Sequence, residues 1–253
     1  MVTKQHIIDA LTARFERDPL VFAFWLEGSE ANGGGDELSD IDLVLDVEDT
    51  HEEEILGKTE KALGVLGELD LVSPIERPNA FIWYQVFHLR DSSEFLLIDV
   101  SVQRHSRDFA FTQGDPDEQP KIIFDKANAI RIEPLDTQRR KAELADRARM
   151  ARAQFARRIG ARKYIQRGNF LEAWTYYEKC ILRPLVQLLR IKYRPGSVDY
   201  GLVHASHHFP PVVVKQLEHL YQAKSLEDIT EGTRQAEKLF ATLERELDDR
   251  SRT

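Results

Sequence analysis

The spacing of apolar residues along the first half of the chain predicts alternating helices and strands. Apolar residues between positions 4 and 18 recur at the spacing of an amphipathic helix, and Asp18-Pro19 ends it. Residues 20–27 are apolar and rich in aromatic side chains, which predicts a buried strand. The further predicted elements are a strand over 39–47, a helix over 51–67, two strands of a hairpin over 80–89 and 94–103, and a short strand over 121–125.

The second half of the chain has a different pattern. From Asp136 onward the residues favour helix almost throughout, with breaks at 168–169, 194–196 and 209–211. Three to five helices fit between these breaks. The sequence therefore predicts an α+β domain with a mixed sheet over residues 1–130, followed by an all-helical domain over residues 131–253.

Composition narrows the class of protein. Apolar residues make up 42% and charged residues 31% of the chain, a mixture typical of globular proteins with a well-solvated surface. Apolar stretches are far shorter than the roughly 20 residues that a membrane helix requires. The first residues carry scattered charges and do not resemble a secretory signal, so we expect a cytoplasmic protein. The single cysteine, Cys180, lies in an apolar-periodic run and is expected to be a buried thiol.

Charge is unevenly distributed. The formal net charge of −8 argues against a protein whose whole surface binds nucleic acid, because binding phosphates requires clustered cations. Residues 139–167 nevertheless carry a local surplus of basic side chains. Two interpretations stay open: this segment is the solvated face of a long helix, or some of its cations bind a triphosphate or an anionic acceptor.

The segment from Glu27 to Leu43 carries the candidate chemistry. The predicted strand ends at Gly28-Ser29, a glycine-rich turn follows, and the next strand opens with Asp40-Ile41-Asp42. Since side chains alternate along a strand, both aspartates project from one face, about 6 to 7 Å apart. Two carboxylates so placed repel each other unless a cation lies between them. Mg²⁺ suits this position because it takes oxygen ligands from one or two carboxylates together with substrate phosphates.

A third acid and the glycine-serine corner complete the pattern. Asp99 lies within the apolar strand over 94–103, where a carboxylate without a partner is costly to bury. With a third carboxylate the site would be able to hold two metal ions. Gly28 permits close approach of a triphosphate to the backbone, and Ser29 offers a hydroxyl and an amide. Phosphoryl transfer requires mainly this positioning and charge neutralisation.

The layout closely resembles the nucleotidyltransferase superfamily of the DNA polymerase beta type. Its signature is Gly-Ser, about ten residues, Asp-x-Asp, and a later acid on an adjoining strand. The resemblance implies that Asp40, Asp42 and Asp99 are the catalytic metal ligands, and that Gly28 and Ser29 bind the nucleotide together with Asp40 and Asp42. The helical half resembles the domain that follows the catalytic domain in aminoglycoside and lincosamide nucleotidyltransferases.

The expected activity is the Mg²⁺-dependent transfer of a nucleoside monophosphate from an NTP, with ATP the expected donor, to a hydroxyl of a small-molecule acceptor, with release of pyrophosphate. Two alternatives stay open: nucleotidylation of a protein or an RNA, and a non-catalytic nucleotide-binding protein such as the antitoxin of a two-gene pair. The identity of the acceptor and the oligomeric state also stay open. Candidates for the general base are Asp99, Glu94, Asp91 and Glu178.

Aromatic and histidine clusters favour structural roles. Trp174, Tyr176 and Tyr177 lie at helical spacing, and we expect them to pack in a core. We expect the same of Phe81, Trp83 and Tyr84 in the predicted hairpin. His204, His207 and His208 lack further ligands at suitable spacing for a metal site, so we expect a loop or a helix cap there.

Overall fold

A computed structural model describes residues 1–31, 33–115 and 119–252. The chain divides into two compact units, Met1–Leu135 and Asp136–Thr253. The predicted boundary lay between residues 130 and 131. Each unit contains a hydrophobic core of its own.

Unit 1 is built around a mixed sheet. Within the described residues seven strands form one sheet in the order β3-β5-β6-β2-β1-β8, with β4 also paired to β5, while β7 and β9 form a separate pair. The strands are β1 (Val21–Glu27), β2 (Ile41–Val47), β3 (Leu69–Val72), β4 (Glu76–Asn79), β5 (Ile82–Leu89), β6 (Ile98–Arg104), β7 (Phe111–Thr112), β8 (Lys121–Asp125) and β9 (Ile132–Glu133).

The helices connect these strands in unit 1 and make up nearly all regular structure of unit 2. In unit 1 they are α1 (Lys4–Phe15), α2 (Gly28–Ala31) and α3 (Glu52–Leu66). In unit 2 they are α4 (Thr137–Ala156), α5 (Ile159–Gln166), α6 (Phe170–Tyr177), a π-helical segment (Glu178–Leu182), α7 (Arg183–Tyr193), a 3₁₀ turn (Pro195–Ser197), α8 (Ala205–His208), α9 (Pro211–Tyr221) and α10 (Leu226–Arg252). The predicted fold class is confirmed: an α+β unit with a mixed sheet precedes a helical unit.

The two faces of the sheet differ in character. One face packs with the apolar sides of α1 and α3 into the main core of unit 1, to which β2 contributes Ile41, Leu43 and Leu45. Because side chains alternate along a strand, Asp42, Val44 and Asp46 project from the opposite face. A smaller apolar cluster lies there, and it includes Val44. This second face is therefore the side of the sheet on which polar groups gather.

The predicted hairpin is confirmed, although its connection is longer than expected. β5 and β6 pair in antiparallel register from Ile82 opposite Gln103 to Phe87 opposite Ile98. β2 pairs with β6 on its other side, and this pairing is parallel. The short strand at Lys121–Asp125 is also confirmed and pairs with β1.

Three aromatic side chains of unit 2 lie in its core or pack against it, as predicted. Tyr177 is fully buried, and its phenol donates a hydrogen bond to the carbonyl of Leu220 at 3.0 Å. Trp174 and Tyr176 pack against the same core. Cys180 is buried, as expected. These side chains therefore stabilise the helical unit.

Many cations of the basic segment have acidic partners inside unit 2. Arg147 bonds both carboxylate oxygens of Asp199 at 2.5 and 2.8 Å. Further ion pairs join Arg140 to Glu143, Arg149 to Asp146, Arg152 to Glu244 and Asp248, and Arg158 to Glu237. For these side chains the structure favours an intramolecular role.

Among the described residues, no helix combines the length and the apolar character needed to cross a membrane.

The histidine cluster lies in and next to a short helix, where the sequence predicts a loop or a helix cap. His204 is the residue before α8 and has a left-handed backbone with φ 58°. The ring of His208 faces the fully buried guanidinium of Arg190, with His208 Nδ1 at 2.7 Å from Arg190 Nη1. The Arg190 guanidinium also donates to the carbonyls of Gly201 and Val203. This polar network holds the turn that precedes α8.

Candidate active site

Three carboxylates meet where β2 and β6 begin. In the parallel pairing of these strands Asp42 lies directly opposite Asp99. Asp40 lies two residues before Asp42, just outside β2 rather than within it. Each of the three residues offers a ligand oxygen within 4.8 Å of the others. The structure thus brings together all three acids that the sequence singled out.

This spacing suits a divalent cation. Two oxygens bound to one Mg²⁺ at 2.0–2.1 Å lie at most about 4.2 Å apart. Small rotations of the carboxylates therefore suffice to bring oxygens within 4.8 Å of one another onto a shared ion. All three donors are hard oxygen ligands. Because Asp40 is exposed, waters and phosphate oxygens can reach the remaining coordination positions of a bound ion. The donor set fits one or two Mg²⁺ ions.

Burial and neighbouring carboxylates raise the pKa of Asp42 and of Asp99. Burial, followed by repulsion from Asp40, Asp99 and Glu27, raises the pKa of Asp42 from 3.8 to about 6. Burial also raises the pKa of Asp99, and Asp40 adds to this, while a hydrogen bond from Tyr84 acts in the opposite direction. Concentrated negative charge of this kind is favourable only when a cation neutralises it.

Tyr84 belongs to this site, although the sequence favoured a packing role for its aromatic group. Its phenol donates a short hydrogen bond to Oδ1 of Asp99. Tyr84 lies on β5 opposite Ser101, so its side chain projects from the face of the sheet that carries Asp99. The phenol therefore orients the third carboxylate. Trp83, its neighbour in sequence, projects into the core as predicted.

Glu27 adds a fourth carboxylate to the same face. It ends β1, opposite Asp42 on β2. Burial raises the pKa of Glu27, while a hydrogen bond from the indole of Trp25 at 2.9 Å and the charge of Arg107 lower it. Glu27 begins the segment that carries the candidate chemistry, but the sequence alone assigns it no role, because the pairing register between strands cannot be read from the sequence.

The Asp42 carboxylate leaves no space for a side chain at position 28. The backbone of Gly28 has φ +63°, a conformation that L-residues rarely adopt, and a Cβ placed there would lie 2.1 Å from Oδ2 of Asp42. A side chain at position 28 would therefore displace a candidate metal ligand. Glycine is required here for both backbone conformation and space.

Ser29 follows in the single helical turn α2, and its hydroxyl is unsatisfied. The Oγ atom is buried and has no hydrogen-bond partner among the residues that the structure describes. Buried hydroxyls in proteins are nearly always paired, so this orphaned one, in the residue after Gly28, is a candidate for a ligand contact. The chain returns over this residue: the amide of Gly34 donates to the carbonyl of Ser29 at 3.0 Å.

The candidates for a general base lie in different places. Glu94 lines a cavity together with Ser39, the residue before Asp40. Asp91 lies in the connection between β5 and β6, where its carbonyl accepts a hydrogen bond from the amide of Val2. Glu178 belongs to unit 2, where it accepts a hydrogen bond from Nε of Arg183. Asp99 is the one of these four that lies within the carboxylate group.

The chain is similar to several proteins of known structure. No protein-family model matches this chain, and no curated protein matches its sequence. The chain is similar to an aminoglycoside 6-adenyltransferase from Bacillus subtilis, at 14% identity and a TM-score of 0.39, over 97% of this chain and 90% of that one. It is also similar to a nucleotidyltransferase-like protein from Exiguobacterium sibiricum, at 15% identity and a TM-score of 0.40, over 95% of this chain and 75% of that one.

Proposed function

We propose that this protein transfers a nucleoside monophosphate from an NTP to a hydroxyl group of a small-molecule acceptor and releases pyrophosphate. ATP is the proposed donor. The observation that carries the proposal is the meeting of Asp40, Asp42 and Asp99 beside the glycine-serine corner, with ligand oxygens within 4.8 Å of one another. The arrangement combines a cation-binding group with a phosphate-binding group, which are the two requirements of phosphoryl transfer.

The three aspartates are the proposed ligands of two Mg²⁺ ions. When bound, the ions would neutralise charge on the phosphates and on the attacking and leaving oxygens. Asp42 and Asp99 lie side by side on neighbouring strands and would hold their oxygens in fixed positions. Tyr84 would keep Asp99 in its orientation through the phenol hydrogen bond.

Gly28 and Ser29 are proposed to hold the triphosphate. Without a Cβ, Gly28 leaves the space next to Asp42 open. The orphaned hydroxyl of Ser29 is available to donate to a phosphate oxygen. Together they would align the α-phosphate so that the acceptor oxygen attacks from the side opposite the leaving pyrophosphate.

In the proposed reaction the acceptor hydroxyl forms a new bond to the α-phosphorus while the bond from that phosphorus to the bridging oxygen breaks. The electron pair of the broken bond leaves with pyrophosphate. Asp99 is the proposed acceptor of the hydroxyl proton, because it is the one of the four candidate bases that lies within the carboxylate group. A small molecule is the proposed acceptor since the net charge is −8 and many cations of the basic segment are paired within unit 2.

A transfer assay with matched variants tests this proposal. The protein is incubated with Mg²⁺ and α-labelled NTPs against a panel of hydroxyl-bearing small molecules, and labelled product and pyrophosphate are measured. We expect transfer by the wild type and a loss of at least about a thousandfold in Asp42→Ala. Asp46→Asn is the control, because Asp46 lies on the same face of β2 but bonds Gln103 and His105. Equal activity of Asp42→Ala and the wild type would refute the proposal.

A further inference from the structure

Lys4 places an ammonium group beside the glycine-rich loop of the candidate site. It is the first residue of α1, and the preceding Thr3 caps this helix by accepting a hydrogen bond from the amide of His6. The Lys4 side chain is only 20% exposed. Its Nζ atom donates to Oε1 of Glu30 at 2.5 Å and to the carbonyl of Asp36 at 3.1 Å. The ammonium is therefore held on the loop that joins Ser29 to Asp40.

A short series of contacts connects this ammonium with the orphaned serine hydroxyl. A Cβ built on Gly35 would lie 2.3 Å from Oε1 of Glu30, the partner of Lys4, and 3.6 Å from Oγ of Ser29. Lys4 thus lies close to the glycine-serine corner of the candidate site.

The loop itself supplies no positive charge. Between Arg17 and Lys58 the sequence contains neither lysine nor arginine. The same stretch holds Glu27, Asp40 and Asp42, so negative charge dominates the strand ends. A triphosphate bound at the glycine-serine corner would add further negative charge and requires cations from other elements.

Space for a ligand is present next to Lys4. A cavity of about 930 Å³ is lined by Lys4, Glu30, Gly35 and Ser39, among others. An ammonium has three N–H donors, and two of them are occupied by Glu30 and by the carbonyl of Asp36. The third has no partner within hydrogen-bond distance in the part of the chain that the structure describes, and it is free to donate to an oxygen that enters from the cavity.

We propose that Lys4 binds an oxygen of the β- or γ-phosphate of the NTP and so supplies the cation that the glycine-rich loop lacks. This inference rests on the proposed function and assigns one contact of its substrate. Glu30 and Asp36 hold the ammonium in place before the nucleotide arrives. Because α1 is fixed by its cap and by its buried apolar side, the cation is positioned in advance and loses little freedom on binding.

The test measures binding of a non-hydrolysable ATP analogue with Mg²⁺ by calorimetry. We expect Lys4→Met to raise the dissociation constant about tenfold, which corresponds to ~1.4 kcal/mol, and Lys4→Arg to restore affinity to within about threefold. Glu30→Gln removes the charge of the ion pair but keeps the cation and a side-chain oxygen that can accept its hydrogen bond, so affinity should fall by less than about threefold. Lys58→Met is the matched control: Lys58 also pairs with two acids of unit 1, Asp18 and Glu54 at 2.9 and 2.8 Å.

Each outcome decides the role of Lys4. Equal losses of affinity in Lys4→Met and Glu30→Gln would show that the pair only shapes the loop, and would overturn the proposal. Unchanged affinity in Lys4→Met would overturn it too, while the Asp42-dependent transfer activity would leave the proposed function standing. A wild type that binds no NTP would refute the proposed function and, with it, the role of Lys4.

Discussion

Replacing Asp42 by asparagine should stabilise the metal-free protein while it abolishes function. Asparagine has nearly the same shape as aspartate but carries no charge. In the folded protein burial and then the neighbouring carboxylates raise the pKa of Asp42 to about 6, against an ordinary value of 3.8. Between these two pH values the folded state binds more protons than the unfolded state, so the free energy of unfolding falls as the pH rises.

The magnitude follows from the two pKa values of this group. A difference of roughly two pH units corresponds to about 3 kcal/mol at 1.36 kcal/mol per unit. Solvent screens the charge of this partly exposed carboxylate and reduces the expected effect to about 1 to 2 kcal/mol. The cost is complete above pH 6 and absent below pH 3.8. Asp42→Asn should therefore be more stable than the wild type by this amount at pH 7.5.

Denaturant unfolding of both proteins at pH 7.5 in EDTA, followed by the same measurement with Mg²⁺, provides the assay. Mg²⁺ at ten times its dissociation constant should stabilise the wild type by about 1.4 kcal/mol. Asp42→Asn, which lacks one ligand, should respond much less. Asp46→Asn is the control: Asp46 is buried and bonds Gln103 and His105, so its substitution should destabilise the protein by about 1 to 2 kcal/mol.

Two results would refute this reasoning. The first is a metal-free Asp42→Asn that is less stable than the wild type at pH 7.5, since the carboxylate would then be stabilised by its surroundings. The second is an equal stabilisation of wild type and variant by Mg²⁺, which would place the cation elsewhere on the molecule.

Three further substitutions test other parts of the structure. Tyr84→Phe removes the hydrogen bond to Asp99 and should raise the Mg²⁺ concentration for half-maximal transfer about tenfold, measured by metal titration. Gly28→Ala introduces a Cβ 2.1 Å from Asp42 Oδ2 at a φ of +63°, so transfer activity should fall by at least about a hundredfold, and unchanged kinetics would contradict the geometry. Arg190→Met removes a fully buried guanidinium that donates to the carbonyls of Gly201 and Val203 and faces the ring of His208, and calorimetric unfolding should show a loss of about 3 kcal/mol.

Much of the fold could be predicted because its signals are local. Side-chain alternation identified the strand that contains Asp42 and the face on which its carboxylate lies. Helical spacing identified α1, and the helix-favouring composition after Asp136 identified a helical unit. Short edge strands such as β3 and β4 were not predicted, since their side chains are largely exposed and leave little apolar pattern.

The sequence by itself determined which residues could carry the chemistry: the glycine-serine corner, the Asp-x-Asp pair and one acid within an apolar strand. Only the tertiary structure decided that Asp99 lies directly opposite Asp42, that the Tyr84 phenol donates to Asp99, and that Lys4 reaches the glycine-rich loop. The physical reason is that alternation and helical periodicity depend on neighbours along the chain. Strand register and contacts between distant segments depend on how the whole core packs.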